Sequence, residues 1–470
     1  MQDKISKNTK RMLEGKRIWS YMLLLSLPIL INNLIKSFNG MVDVYFISRM
    51  KGASNEAINS AISAMNLHDS FNNLILALGV GLGIAAMAVV SQFLGAKRED
   101  KAKEYSGQFV VFSFVLGIIL TAFTLAFSWG FIPLLGAKGA TYDYSLTYFN
   151  IRSLEQISVV FFIVYQAIRQ AEGSTITPTI LNILGILLNI LLTWLFVDVL
   201  SLGVAGSAWS TVIGNTIFMP FMLFDLFFSK KYFKINFKLM KPNFKLLKEI
   251  WPFAYPAAFS HGVTFLGFLI INAFILFQYG DVISASFATG NKISNILMNP
   301  IYAITTIGAV FIGANIGNNR PDRALKTYRE SGILTFSLTM IAIVLAILFR
   351  KEFVVLLIGS SNQMLVDKSI EYTLWVLLTQ PFMAIFQNYM AIFNGSGQPK
   401  LGLKAQSFRL WVLRIPALII LWIAFPKMSH SIIWTAMNFS NIFALFYAHY
   451  LRRDINLRVM VNLNEELTIS

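Results

Sequence analysis

Apolar segments of bilayer length recur along the whole chain and limit it to a membrane-embedded helical fold. A transmembrane helix needs about 20 mostly apolar residues to cross the hydrocarbon core. Only 13% of the residues are charged, roughly half the fraction found in soluble domains. The abundance of Phe, Tyr and Trp argues against disorder. We therefore predict an all-α integral membrane protein.

The apolar segments divide into two groups of six. We predict an N-terminal six-helix lobe over 18–228 and a C-terminal six-helix lobe over 249–451. They are flanked by an N-terminal segment (1–17), a basic linker (229–248) and a C-terminal tail (452–470). The twelve predicted spans are 18–47, 58–92, 106–131, 146–169, 176–199, 203–228, 249–278, 283–315, 331–349, 370–394, 402–425 and 431–451.

Lysine and arginine are distributed unequally between alternate loops. With the N-terminus inside, the inner segments hold 28 basic residues, three of them in 400–409, and the outer segments hold 7. Cytoplasmic loops of membrane proteins carry such an excess. We expect a multi-pass protein of the cell membrane with both termini in the cytoplasm. The same bias explains the net charge of +16 without a nucleic-acid partner.

The two halves carry matching phrases at an almost constant offset. QFLGAKREDKA (92–102) matches ANIGNNRPDRA (314–324), and YQAIRQAEG (165–173) matches YMAIFNGSG (389–397). A third match joins SLPILI (26–31) to AYPAAF (254–259). With six spans in each unit, both repeats enter the membrane the same way up, as in transporters built from parallel repeats. This arrangement favours alternating access by rocking of one half against the other.

Four phrases resemble the multidrug and toxic compound extrusion (MATE) family, in the branch that includes DNA-damage-inducible-type members. They are LPILINNLIKSFNGMVDVYFIS (27–48), GVGLGIAAMAVVSQFLGAKREDKA (79–102), IRQAEGSTITPTILNILGILLNILL (168–192) and LGVAGSAWSTVIG (202–214). The resemblance implies cation-coupled export of amphipathic organic cations. The expected partners are such small molecules and membrane lipids, the chain acting as a monomer without a cofactor.

Four polar residues form the candidate cation-coupling site. Asn32, Lys36, Asn39 and Asp43 make one helical stripe in the first span, which should face a neighbouring helix or a cavity. By depth in their spans, Asp43, Asn189, Thr193 and Thr211 fall at a similar level. The resemblance carries the coupling role over to Asp43, Asn189 and Thr211. Thr193 stands where family members commonly have a second acid.

Further polar residues within spans are candidates for the substrate cavity. Arg152 and Glu155, three residues apart, are expected to pair, and Asp69 is a candidate for meeting a cationic substrate. Lys292 could neutralise a carboxylate across the cavity. The complete candidate set is Lys36, Asn39, Asp69, Arg152, Glu155, His261, Asn272 and Lys292. The C-terminal half has Asn272, and no acid, at the level of Asp43, so coupling should belong to the N-terminal lobe.

Several other classes of protein are disfavoured. The chain has no Cys and four scattered His, which predicts no metal site, and it has no Walker lysine loop for ATP hydrolysis. No acid-rich motif of a membrane-embedded transferase occurs, so we expect a non-enzyme. The alternative function is a lipid or lipid-linked oligosaccharide flippase. A single titratable acid at the coupling site favours H⁺ over Na⁺ as the coupling ion.

Overall fold

The computed structural model describes residues 7–50, 52–229, 233–360, 362–425 and 429–457, and its elements are helices joined by short loops. The end of the predicted C-terminal tail and part of the basic linker lie outside these residues. The first nine helices are α1 (Lys7–Glu14), α2 (Ile18–Ile47), α3 (Asn55–Gly95), α4 (Glu99–Leu134), α5 (Ala140–Ser153), α6 (Gln156–Ala171), α7 (Ile176–Thr193), α8 (Gly203–Thr216) and α9 (Met219–Phe228). They are followed by α10 (Phe244–Gly317), α11 (Pro321–Leu348), α12 (Arg350–Ile358), α13 (Gln363–Gly395), α14 (Pro399–Ser407), α15 (Ile415–Ala424) and α16 (Ser431–Leu451).

Several of these helices are long and apolar enough to cross a bilayer, either singly or as consecutive helices such as α8 with α9, which together form Gly203–Phe228. Within the described residues, 9 meet that criterion by length and composition, or 10 if the bent pair α5–α6 forms one span. Helix α10 is two helices joined at Gly280, whose φ is 76°. This lies in the left-handed region, which glycine adopts at little cost because it has no side chain. With α10 divided there, and with the 21-residue α16, which is less apolar than that criterion requires, the described part of the chain has twelve helical segments that correspond to the predicted spans.

Two spans at equivalent places in the halves change from α-helical to π-helical. Helix α7 continues into the π-helical segment Trp194–Val199, and α14 continues into Phe408–Arg414 before α15. A π-helical turn inserts an extra residue into the hydrogen-bonding pattern and is often found at functional sites. It also rotates the side chains that follow it relative to an uninterrupted α-helix.

The chain divides into two compact units that do not follow the linker. Unit 1 contains Met1–Asn8 and Ile31–Ala258, and unit 2 contains Thr9–Leu30 and Phe259–Ser470. Helices α2 and α10 therefore each begin in one unit and continue in the other. Both changes occur two residues after a proline, Pro28 in α2 and Pro256 in α10, where a helix loses a backbone hydrogen bond. These are the positions of the SLPILI and AYPAAF repeat.

Small residues let α3 approach α6 closely in unit 1. A Cβ atom added at Gly83 would lie 2.6 Å from Cγ2 of Ile163, and one added at Gly79 would lie 3.2 Å from Cγ2 of Val160. Membrane helices use such small faces because helix association there depends on close packing. The glycines of GVGLG (79–83) are thus packing residues.

A buried ion cluster fixes the described part of the linker to unit 1. Arg169, fully buried, donates to Glu172 at 2.6 Å and to the carboxylate of Asp225 at 2.7 Å. Glu172 accepts the backbone N–H of Phe233 in the linker at 2.9 Å. Burial raises the pKa of Glu172 to about 7, against the opposing charge of Arg169. One guanidinium therefore ties α6, α9 and the linker together.

Most of the N-terminal helix α1 belongs to unit 2. Its Met12 and Leu13 are buried, and Arg323 of α11 donates to the backbone oxygens of Met12 at 3.4 Å and Gly15 at 2.6 Å. A cation at these carbonyls satisfies acceptors that a helix end leaves free. The backbone N–H of Trp19 donates to Glu330 at 2.9 Å, across 311 residues of chain.

Candidate functional site

A chain of hydrogen bonds joins α2, α7 and α8 around one buried carboxylate. Asp43 is 5% exposed, and it accepts a hydrogen bond from the Thr193 hydroxyl at 3.1 Å. The Thr193 oxygen also lies 2.7 Å from the hydroxyl of Ser210. Asn189 Nδ2 donates to Thr211 at 3.1 Å and to Ser210 at 3.4 Å. The four predicted coupling residues thus belong to one network.

Ser210 is the member of this network that the sequence analysis missed. It is fully buried and connects Thr193 to Asn189. In the sequence, Ser210 ends the segment GVAGSAWS (203–210), which is rich in small residues. Such a segment predicts close helix packing and does not single out one serine as a functional residue. A depth comparison that included every hydroxyl of α8 would have found it one position before Thr211.

Two glycines bring α7 and α8 close enough for the network to form. A Cβ atom added at Gly214 would lie 2.8 Å from Cβ of Asn189, and one added at Gly185 would lie 2.7 Å from the carbonyl oxygen of Gly214. Real Cβ atoms essentially never come this close to such atoms. The short side chains of Asn189, Ser210 and Thr211 meet because both positions lack a side chain.

The polar stripe of the first span faces α7 at both of its ends. Asn32 is buried and accepts a hydrogen bond from Asn182 of α7, and Asp43 contacts Thr193 one turn beyond Asn189. Between them, Lys36 is exposed, with its Nζ 5.5 Å from the centre of the Phe162 ring. Asn39 is half-buried, and its Oδ1 has no hydrogen-bond partner. Lys36 and Asn39 therefore lie on the same helical stripe as Asp43, and neither has a carboxylate partner within the described part of the chain.

Arg152 and Glu155 form the predicted ion pair, and their neighbours extend it. Arg152 lies 2.6 Å from Glu155 and also donates to the Tyr148 hydroxyl at 2.9 Å. The other oxygen of Glu155 accepts from Asn215 of α8 at 2.8 Å. Since each charge has its partner within the cluster, the pair contributes no free charge to the site. The predicted substrate contact Asp69 is exposed.

The remaining cavity candidates belong to unit 2. Asn272 and Lys292 are exposed and His261 is half-buried, so none has the burial of Asp43. Arg409, which the loop count assigned to a cytoplasmic segment, is 5% exposed and lies in the π-helical segment that follows α14. The span begins at Pro399, which places Arg409 ten residues into the helix and not in a loop.

The network around Asp43 can change its charge without losing its hydrogen bonds. The carboxylate accepts from Thr193 when it is ionised, and a protonated carboxyl could donate, because hydroxyls act as donor and acceptor. The described residues contain no group of three or more His, Cys, Asp or Glu side chains placed to hold a metal ion. The arrangement suits the binding and release of a small cation at one acid.

Comparison with known proteins gives a consistent result over both halves. The MatE family model matches residues 28–195 and 256–420. Multidrug export protein MepA of Staphylococcus aureus (strain NCTC 8325 / PS 47) is 28% identical over 274 residues, which are 58% of this chain and 59% of that protein. MepA of Staphylococcus haemolyticus (strain JCSC1435) is 29% identical over 276 residues, with the same two shares. The chain thus matches less than two thirds of the length of these relatives.

Solved structures show the same fold over nearly the full length. A crystal structure of MATE in complex with MaL6 superposes with a TM-score of 0.88 at 20% identity, covering 96% of this chain and 98% of that one. An outward-facing multidrug resistance MATE family transporter of the MOP superfamily gives 0.87 at 20% identity and the same coverage. The predicted all-helical, multi-span membrane fold is confirmed.

Proposed function

Because the chain belongs to the MatE family of transporters, we propose that it is a secondary active multidrug exporter. It carries amphipathic organic cations out of the cell by cation antiport, with alternating access. The matched relatives are multidrug export proteins, which supports drug-like substrates. We also propose that the chain acts as a monomer and falls within the DNA-damage-inducible-like branch, on the four phrases of the sequence.

The observation that carries the proposal is that Asp43 is buried with a neutral hydrogen-bonding partner, while the nearby cation Arg152 is already paired with Glu155. The hydrogen-bonding partner of its side chain is Thr193, and the network beyond Thr193 consists of hydroxyls and an amide. A buried, unpaired carboxylate is costly in its charged form. It is therefore poised to bind a cation, and to give it up when water or a cationic substrate reaches it.

The geometry of the network supports a proton rather than Na⁺ as that cation. Hard cations are coordinated by several oxygens at once. Here Asn189 turns its Nδ2, a donor, towards Ser210 and Thr211. The hydroxyl of Thr193 is engaged with Asp43 and Ser210. A proton needs one oxygen of Asp43 and leaves these hydrogen bonds in place.

The coupling ion can be identified in liposomes that contain the purified protein. We expect an imposed pH gradient, at equal Na⁺ on both sides, to drive uphill movement of a fluorescent organic cation. An imposed Na⁺ gradient at equal pH should give the rate measured without any gradient. Transport that is driven by the Na⁺ gradient and does not respond to the pH gradient would contradict proton coupling. It would still be consistent with cation-coupled export.

The membrane orientation is proposed from the basic-residue bias, with both termini in the cytoplasm. Lys138, between α4 and α5, and Lys238, in the linker, are both exposed, and the chain contains no cysteine. We expect a membrane-impermeant maleimide to label Lys138→Cys in intact cells. Lys238→Cys should be labelled only after permeabilisation. Equal labelling of both variants from outside would refute the orientation.

The second candidate is a lipid or lipid-linked oligosaccharide flippase. Arg409 and Arg414 are both buried in unit 2. They favour a flippase because a transported anionic headgroup would need cationic partners. The two functions can be distinguished in the same liposomes. An exporter moves the organic cation under a gradient and leaves labelled phospholipid in its leaflet, whereas a flippase moves the lipid.

A further inference from the structure

Two arginines are buried in the interior of unit 2, in the π-helical segment Phe408–Arg414. Arg409 is 5% exposed and Arg414 is 2% exposed. They lie about 15 and 22 Å along the span that begins at Pro399, by the α-helical rise per residue. An ionisable side chain at such a depth is costly, and it marks a functional site by default.

The π-helical turn places both arginines on the same side of the span. In an α-helix, residues five apart point about 140° away from each other. In a π-helix, hydrogen bonds join residues five apart, so Arg409 and Arg414 come close to alignment. Both are buried, while Trp411 and Val412 between them are exposed. The break in the α-helix therefore turns two cations inward together.

Each arginine has an N–H group that finds no acceptor. Arg414 donates through Nε to Ser440 at 2.8 Å and through Nη2 to Asn441 at 2.5 Å, but its Nη1 has no partner. Arg409 donates through Nη1 to the sulfur of Met383 at 3.2 Å, and its Nε has no partner. A buried donor that lacks an acceptor has lost its hydrogen bond to water without a replacement, and this destabilises the folded state more when the donor is charged.

No acidic side chain among the described residues compensates these two charges. The ionisable groups that act on Arg409 and Arg414 are Tyr302, Tyr372 and the other arginine. The buried arginines of unit 1 differ, since Arg152 pairs with Glu155 and Arg169 pairs with Glu172 and Asp225. Two like charges without a counter-charge would repel each other in the interior of unit 2.

We propose that Arg409 and Arg414 form an anion-binding site in unit 2 that takes a small monovalent anion of chloride size. The orphaned donors are Nε of Arg409, which carries one N–H, and Nη1 of Arg414, which carries two, while Nε and Nη2 of Arg414 are already engaged. This arrangement suits a point acceptor that receives hydrogen bonds from several directions. A carboxylate or phosphate would instead use the parallel donors of one guanidinium fork. The neutral partners Ser440 and Asn441 hold Arg414 in place for the anion.

The test is the thermal stability of the full-length protein in detergent, followed by tryptophan fluorescence. Sodium chloride replaces sodium gluconate stepwise at constant ionic strength, with sulfate and phosphate as separate series. A ligand that binds only the folded state raises the unfolding midpoint with concentration. We expect a saturable rise of about 1–3 °C in chloride and none in sulfate or phosphate.

Variants assign the effect to the two arginines. Arg409→Gln and Arg414→Gln should each remove most of the chloride response, whereas the exposed Arg329→Gln should keep it. A wild-type midpoint that is insensitive to chloride, or that rises as much with sulfate, overturns the proposal. A full chloride response in both glutamine variants also overturns it. If a glutamine variant does not fold, the wild-type anion series decides the question alone.

Discussion

Asp43→Asn is expected to reduce gradient-driven efflux to the rate of protein-free liposomes while leaving the protein folded. The amide keeps the size of the carboxyl group and can still accept from Thr193, but it cannot bind or release a proton. The variant should therefore fail to couple drug movement to the gradient. Initial rates of uphill efflux measure coupling, and the unfolding midpoint in detergent checks that the fold is intact.

Asn272→Ala is the matched control in the C-terminal half, because Asn272 stands at the predicted level of Asp43 and is exposed. Its efflux rate should stay close to that of the unchanged protein. Ser210→Ala should have an intermediate effect, since it removes the hydroxyl that links Thr193 to Asn189 but keeps the acid. Normal uphill efflux by Asp43→Asn would eliminate Asp43 as the coupling group.

Arg169→Met is expected to destabilise the protein by about 3–5 kcal/mol, the usual cost of breaking a buried ion pair by removing one partner. Arg169 is fully buried, and its loss leaves Glu172 and Asp225 without their cation. The unfolding midpoint in detergent measures the effect. Lys326→Met is the control, because its ion pair with Glu330 spans 3.8 Å with the lysine 60% exposed. Such surface pairs contribute about 0–1 kcal/mol.

The pH dependence of this variant gives an independent check. The pKa of Glu172 is already raised to about 7 in the folded protein, and the loss of Arg169 removes a charge that lowers it. The folded variant then binds a proton that the unfolded chain has lost, so its stability falls as pH rises through the folded pKa. The deficit should be larger at alkaline than at neutral pH. A triple variant that adds Glu172→Gln and Asp225→Asn should recover part of it, and no recovery would mean that lost packing, not orphaned charge, causes the deficit.

Hydropathy and polar patterning were sufficient to predict the spans and most of the candidate site. Asp43, Asn189, Thr193 and Thr211 could be grouped from the sequence because a polar residue deep in a span is costly, so residues at one depth tend to meet. The pairing of Arg152 with Glu155 followed from helical spacing alone.

The features that were missed depend on departures from a regular helix or on distant contacts. Arg409 is counted with Lys400 and Lys404 as a cytoplasmic residue although the predicted span 402–425 contains it, and the π-helical turn that buries it cannot be predicted from hydropathy. The helix at 7–14 has a strongly charged sequence, and its position depends on Arg323, more than 300 residues away. The composition of the two units could not be predicted either, since chain order assigns the start of α2 to the first half.

The exchange of segments between the two units has a consequence for biosynthesis. Residues 9–30 leave the ribosome early, yet they belong to unit 2, and Trp19 meets Glu330 only after 311 further residues. At synthesis rates of about 5–20 residues per second, that wait lasts roughly 15–60 s. The start of the first span must therefore remain in the bilayer without its final neighbours while unit 1 is completed. A nascent chain stalled before Glu330 would expose α1 to cellular proteases, and cleavage there would report on the last step of assembly.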